Sequence, residues 1–453
     1  MSQLFFDNCL LPDGWAQNVM IESDADGWIT AVSPDSAPDG ADDRAAIALP
    51  GIPNCHSHAF QRAMAGLSER RGQSEDSFWT WRDLMYRFVD KITPDDLAAI
   101  AAQVYLEMLE AGFTAVAEFH YLHHAPQGRP FDNIAEMSRA IFAAAQETGI
   151  GLTFLPVFYE SSGFGGAAPA EAQERFALTP YLYGQLLEIV SASASELPDA
   201  TVGMAPHSLR AVTPDGLGEI LKLPCAGLVH IHIAEQIREV EECLAWSGAR
   251  PVQWLLDNAA VDGRWCLVHA THMDGSEISG AANSGAVAGL CPITEANLGD
   301  GIFEGVDFLS QGGRIAIGSD SNIYISVAEE LRLLEYSQRL RDKGRNRLTG
   351  SEASTGASLI NQVLAGGAQV SGRRIGRIEP GYRADFVGLD QNHSSLIARH
   401  GDAWLDAWIF ASDNAVVSDV WVGGQHLVQN GRHIARDTVS PVFTNVLSHL
   451  VTS

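Results

Sequence analysis

Two histidines stand two residues apart in "PGIPNCHSHAFQRAM", residues 50–64, at the end of an apolar approach. A strand alternates its side chains with period two, so His56 and His58 point the same way. Two imidazoles on one face of a strand end are a ready pair of ligands for a divalent metal. Further along, "APHSLR" carries His207 and Arg210, and "HIHIAEQ" carries His230, His232 and Glu235. "VHATH" carries His269 and His272, and "GSDSN" carries Asp320. Zinc accepts imidazole nitrogen and carboxylate oxygen, and in catalytic sites keeps one position open for water. His56, His58, His232 and Asp320 would supply three nitrogens and one carboxylate to one zinc ion per chain. His230 points the same way as His232 but lies two residues deeper, and reads as a hydrogen-bonded interior residue. His120, His123, His124 and His272 read as structural histidines too.

For these residues to meet, the stretches that carry them must end on one rim. From residue 46 to about residue 340 the chain alternates short apolar runs with helical patterns. The runs are "FTAVAEF", "GLTFLPVF", "ATVGMAP", "GLVHIHIA", "RWCLVHA", "AVAGLCP" and "RIAIGSD", each suited to a buried parallel strand. With the strand before His56 the count is eight. Eight β-α units imply a TIM-type (β/α)8 barrel, whose chemistry lies at the carboxyl ends of its strands. In "TPDDLAAIAAQVYLEMLEAG" Thr93 caps a helix, Pro94 opens it and Gly112 ends it, with Leu97, Ile100, Ala101, Val104 and Met108 as its apolar stripe. "DNIAEMSRAIFAAAQETG" repeats the pattern with Ile134, Met137, Ile141 and Ala145. Both ends of the chain read instead as short strands with turns, and together imply one small β-sandwich domain. The expected division is 1–47 and 376–453 for that β domain, and 48–375 for the barrel.

Bulk properties narrow the function. The 453 residues are 46% hydrophobic and 19% charged, a globular composition with ample core. No apolar run approaches the roughly 20 residues of a membrane span. The start has no basic segment followed by an apolar stretch and a cleavage site, so no export signal is expected. Cys9, Cys55, Cys225, Cys243, Cys266 and Cys291 show no C-x-x-C spacing, which argues against a disulfide framework and a cysteine-bound zinc and fits a cytoplasmic protein. A formal charge of −27 excludes a nonspecific nucleic-acid binder. An anionic substrate would need local arginines against that background.

His-x-His, a later His-x-x-Glu, a lone His and then Ser-Asp resemble the amidohydrolase superfamily, especially its mononuclear-zinc deaminases. "EPGYRADFVGLD" and "VWVGGQHLVQNGR" resemble the C-terminal β-sandwich of that superfamily. "PNCHSHAFQRAMAGLSE", "DSFWTWRDLMY", "HIHIAEQ" and "CPITEANLGDG" are similar to the formimidoylglutamate deiminase family, enzymes of histidine degradation. The likeness spans essentially the whole chain. Binuclear relatives bridge two metals with a carbamylated lysine ending strand four, whereas Lys91, Lys222 and Lys343 end no expected strand and Lys222 falls in the helical "DGLGEILKL". One metal is therefore expected.

The resemblance implies hydrolysis of N-formimino-L-glutamate to N-formyl-L-glutamate and ammonia, and a homodimer. Asp320 would both ligate zinc and accept a proton from the attacking water. Glu235, read as one helical turn past His232, would carry a proton to the terminal nitrogen, and His269 would orient the nucleophile and stabilise developing charge. The substrate is a dicarboxylate, and arginine's planar fork suits carboxylate. The resemblance gives Arg210 with Tyr121 to the α-carboxylate, Arg82 to the side-chain carboxylate, and Gln61 and His207 to the polar middle. Phe78, Trp79 and Trp81 beside Arg82 read as a lid that excludes water. A sister deaminase acting on a purine or triazine ring is the nearest alternative, and would want aromatic and amide contacts rather than two arginines. A non-catalytic scaffold would have lost ligands that are all present here. Manganese hydrolases that cleave the same substrate use D-x-H-x-D, which is absent.

Overall fold

The strand Asp43–Pro50 belongs to one sheet and hands the chain, through Gly51, directly to the strand Ile52–Ser57 of another. Gly51 is required there: an added Cβ would fall 2.1–2.8 Å from the Thr114 side chain. This computed structural model describes residues 2–69, 77–224 and 227–452. Cys225 and Asp76, the residue that opens "DSFWTWRDLMY", lie outside them.

Ile52–Ser57 is the first of eight parallel strands. Phe113–His120 and Gly151–Phe158 follow, and the fourth comes in two pieces, Thr201–Val202 and Ala205–Pro206. Val229–Ile233, Trp265–His269, Val287–Leu290 and Arg314–Ile317 complete the set. Single bridges join the two halves. Met204 pairs with Val229 and Ser208 with His232 on one seam, and Ser57 pairs with Asp320 on the other. These pairings close a TIM-type barrel, and both seams run through site residues. The final seam is tight, because a Cβ on Gly318 would sit 2.7–2.8 Å from the His56 backbone.

The outer helices follow the sequence closely. Pro94–Glu110 starts at Thr93, whose side chain accepts from Asp96 N at 3.2 Å while Asp96 returns a bond to Thr93 N at 3.0 Å. Its expected stripe is buried throughout. The next helix begins at Glu136, so Ile134 precedes it. Asn133 Oδ1 accepts from Ala135 N at 3.0 Å, which holds a turn there instead. Lys222 likewise lies beyond its helix, Pro214–Ile220.

Both termini build the second sheet. Its order runs Arg432–His433, Gln425–Gln429, Val417–Val422, Phe386–Leu389, Asp43–Pro50, Ser2–Leu11, Gly14–Ser23, Ile29–Ser33. Leu4, Phe6, Val19, Ile21, Phe386 and Trp421 fill its own core. The last segment also carries helices that pack onto the barrel. Arg436–Thr452 lies on Pro94–Glu110, with Ser440 Oγ 2.9 Å from Gln103 Oε1 and Arg436 paired with Glu110. Cys9, Cys55, Cys243, Cys266 and Cys291 are free thiols. No helix among the described residues is long and apolar enough to cross a membrane.

Asn322 staples the final seam. Fully buried and in the left-handed region (φ 54°), it donates to Ser57 Oγ at 3.1 Å, His58 O at 3.2 Å and Asp320 O at 3.0 Å, and accepts from Ser319 Oγ at 2.6 Å. Removing such a group leaves buried partners unsatisfied, at about 1–3 kcal/mol. Asn322→Ala is expected to lose about that much stability in urea denaturation of the metal-free protein. A loss below about 0.5 kcal/mol, the range of an ordinary surface substitution, would show that the seam does not depend on it.

Candidate active site

Each barrel strand delivers its side chain to one mouth. His56 and His232 lie in strands one and five, His58 directly follows strand one, Asp320 lies just past strand eight, and all four are buried. One donor atom from each lies within 4.8 Å of the others. His56 Nε2 is 3.2 Å from His58 Nε2 and 3.0 Å from His232 Nε2. Asp320 Oδ1 lies 3.3 Å from His58 Nε2 and 3.6 Å from His56 Nε2.

Backbone carbonyls set the tautomers. His58 Nδ1 donates to Phe119 O at 2.8 Å, and His232 Nδ1 donates to His207 O at 3.0 Å. A neutral imidazole that donates through Nδ1 has a bare lone pair at Nε2. Burial pushes His56, His58 and His232 well below the ordinary imidazole value, His58 to about 3, and their mutual repulsion adds to the effect in His56 and His232. Lone pairs of neutral rings therefore converge on one point beside a carboxylate, the arrangement a divalent cation satisfies. The donor set fits a metal.

Beyond this set stands an acidic network. His269 Nε2 lies 3.8 Å from Asp320 Oδ2 and 3.7 Å from Glu235 Oε1, and Nδ1 is 3.2 Å from Glu295 Oε1. Burial would lower the His269 pKa, but Glu235, Glu295 and Asp320 outweigh it and hold the ring well above its ordinary value. Glu235 Oε2 is 3.7 Å from Arg210 Nη2, and Glu239 Oε2 is 3.6 Å from Arg210 Nε. Glu235 is reached differently from the expected helical turn. Strand five ends at Ile233, Ala234 takes a left-handed backbone (φ 50°), and the helix starts only at Ile237. Glu239 Oε1 and Oε2 accept from Ala234 N and Glu235 N, both at 3.3 Å, and fix that turn. His269 (φ 66°) and Asp320 (φ 45°) are left-handed as well. Such strain at strand ends collects where side chains must be aimed.

One pocket is lined by His58, His232, Asp320, Glu235 and His269, and also by Gln61, Arg82, Tyr121, His207 and Arg210. Every expected site residue except His56, which lies beneath, faces it. Gln61 Nε2 donates to Tyr121 Oη at 3.0 Å, and Gln61 Oε1 is buried without a partner. Arg82 lies on the helix Phe78–Val89, with Nε buried and without a hydrogen bond. Phe78 and Trp81 of that helix line the pocket, whereas Trp79 stands outside the lining, between Arg82 at 4.6 Å and Arg238 at 4.4 Å. Four of the five histidines read as structural bond to backbone, His230 to Val370 O, His123 to Val157 O, His124 to Ala177 O and His272 to Asp300 O, each at 2.8 Å. Both ring nitrogens of the fifth, His120, are buried without a hydrogen-bond partner.

Sequence reasoning missed Glu239, Glu295 and Asp300. Glu295 is the fourth residue of the helix Pro292–Leu298, and its Oε1 accepts from Cys291 N at 2.8 Å. Nothing local marks its second task, the contact with His269.

Comparison with known proteins agrees with this geometry. Residues 47–427 match the amidohydrolase family, and residues 1–46 match the N-terminal domain of formimidoylglutamate deiminase HutF. The chain is 52% identical over 453 residues to formimidoylglutamate deiminase of Pseudomonas aeruginosa, covering 100% of both. The crystal structure of an amidohydrolase from Brucella melitensis superposes with a TM-score of 0.96 at 49% identity, again over 100% of both chains. A 5-methylthioadenosine/S-adenosylhomocysteine deaminase of Natronomonas pharaonis is 26% identical over 424 residues, 91% of this chain and 88% of that one. The chain is a hydrolase of the amidohydrolase family and belongs within it to the formimidoylglutamate deiminases.

Proposed function

We propose that this enzyme hydrolyses N-formimino-L-glutamate to N-formyl-L-glutamate and ammonia, a step of histidine degradation, with one zinc ion per chain held by His56, His58, His232 and Asp320. The observation that carries the reading is that Arg82 and Arg210 line the pocket of the His/Asp set, in a chain of formal charge −27. Two guanidiniums suit a substrate with two carboxylates. Arg210 with Tyr121 takes the α-carboxylate, Arg82 the side-chain carboxylate, and Gln61 and His207 the polar middle.

When bound, zinc in such a set lowers the pKa of a water to about 7 and so supplies the nucleophile at neutral pH. Asp320 keeps Oδ1 toward the imidazoles, and Oδ2 accepts a proton from the attacking water. Attack at the formimino carbon gives a tetrahedral centre bearing one oxygen and two nitrogens. His269, held cationic by its acidic neighbours, faces the charge that develops. Glu235 delivers a proton to the terminal nitrogen, which leaves as ammonia while the carbon–oxygen double bond forms. A flat heterocycle would suit the rings of Phe78, Trp81, Tyr86 and Tyr159 in the lining, yet would bring no carboxylate to Arg82 or Arg210.

Ammonia release from N-formimino-L-glutamate, assayed beside adenine and guanine derivatives, tests the reading. Turnover of a purine with none of the formimino compound would overturn it. Purified enzyme should hold about one zinc per chain by elemental analysis, and replacing His56, His58, His232 or Asp320 should lower occupancy. Full occupancy after such a change would remove that residue from the set.

Glu235→Gln should keep the metal and lose about 10²- to 10⁴-fold in kcat, the usual share of an acid–base group. Near-normal turnover would assign the proton transfer elsewhere.

Stranding one partner of a desolvated charge pair costs about 2–5 kcal/mol. Arg82→Met should therefore cut kcat/KM about 30- to several-thousand-fold on N-formimino-L-glutamate, and far less on an analogue without the side-chain carboxylate. Arg210→Met should show the mirror pattern with the α-carboxylate. Because Arg210 also neutralises Glu235 and Glu239, the cycle between mutant and analogue, rather than the single loss, isolates its share. Equal losses on both analogues in both mutants would contradict the dicarboxylate assignment.

A further inference from the structure

Asp300 is buried, takes no part in the mechanism above, and opens onto the same acidic network. It lies in the loop after the helix Pro292–Leu298, held by its backbone: its N–H donates to Glu295 O at 2.9 Å, and its carbonyl accepts from His272 Nε2 at 2.8 Å. Gln236 Nε2 donates to Asp300 Oδ1, while Oδ2 is buried with no hydrogen-bond partner. Asp300 is 5% exposed, Glu235 4% and His269 1%. One donor atom from each of the three lies within 4.8 Å of the others.

We propose that Glu235, His269 and Asp300 form a second, weaker divalent-cation site, and that an ion there inhibits the enzyme while the first site stays loaded. Two carboxylates and one imidazole are a donor set for zinc, and three donors against four in the first set give the order of filling. Glu295 accepts from His269 Nδ1 and directs Nε2, 3.7 Å from Glu235, toward the site, where an ion would displace the Nε2 proton to take the lone pair. Charge favours a cation. Glu235, Glu239, Glu295, Asp300 and Asp320 crowd into one buried region with Arg210 and His269 as their cationic neighbours. Without an ion, burial and then Glu235 push the Asp300 carboxyl up to about 10, so that it holds a proton that a metal would displace. Inhibition follows because the second ion takes the carboxylate that carries the proton and the ring that faces the developing charge. That part rests on the roles proposed above for Glu235 and His269, while occupancy of the site does not.

The test starts from one-zinc enzyme dialysed against rising Zn²⁺, with bound metal and ammonia release read together. Wild type should rise from about one to about two zinc per chain, with activity falling in step. Asp300→Asn should stop at about one and keep its activity across the same range. His269→Asn, read by metal content alone, should also stop at about one, which keeps the test decisive if Asp300→Asn fails to fold. Wild type holding one zinc at every concentration would overturn the proposal, as would either variant taking up the second ion as wild type does. A second ion bound without loss of turnover would overturn the inhibition. An enzyme that takes up the second zinc yet never turns over N-formimino-L-glutamate would instead contradict the function proposed above, leaving this site in place.

Discussion

The His56 Nε2 atom stands 3.2 Å from His58 Nε2 and 3.0 Å from His232 Nε2 in a buried cluster, and the latter two are fixed there as lone pairs. The carbonyls of Phe119 and His207 impose that state by taking the Nδ1 protons of His58 and His232. Without a cation, this is a repulsive cluster of neutral rings beside the Asp320 carboxyl. With one, it is a four-donor set assembled in advance. Much of the barrel serves this point. Gly318 lets strand eight approach the His56 backbone, Ser208 bridges strand four to His232, and Asn322 ties the loop after strand eight to His58. The two seams that close the barrel are thus also the joints that aim the ligands.

A second constraint links binding to chemistry. Glu235 faces His269 on one side and Arg210 on the other, at 3.7 Å from each. Arg210 shares its charge between Glu235 and Glu239, which together outweigh burial and raise its pKa. In the proposed mechanism, a substrate carboxylate arriving at Arg210 competes with Glu235 for that guanidinium and releases it toward the reacting nitrogen. The residue proposed to recognise the substrate and the residue proposed to move its proton thus share one electrostatic contact.

Period-two and helical patterns made the barrel legible. The eight apolar runs are the eight strands, and Thr93, Pro94 and the stripe from Leu97 to Met108 give the helix that the sequence implies. The candidate metal site was legible because strand ends in this architecture converge, so His56, His58, His232 and Asp320 could be placed together without coordinates. Hidden features depended on long-range contact or local backbone. Ala234 carries no sign of a left-handed turn, and that turn, not a helical one, brings Glu235 into place. Asn133 delays a helix by a side-chain bond that periodicity does not register. Glu239, Glu295 and Asp300 read as ordinary loop and helix acids, and become part of the site only through partners on other strands.

The central claim is that three histidines and one aspartate hold a catalytic zinc, and X-ray absorption at the zinc edge of the one-zinc enzyme tests it most directly. The account predicts imidazole nitrogens at about 2.0–2.1 Å and oxygen at about 2.0–2.2 Å, with no sulfur in the shell. A sulfur contribution at about 2.3 Å would place the metal on Cys55, Cys266 or Cys291 instead, and would contradict it.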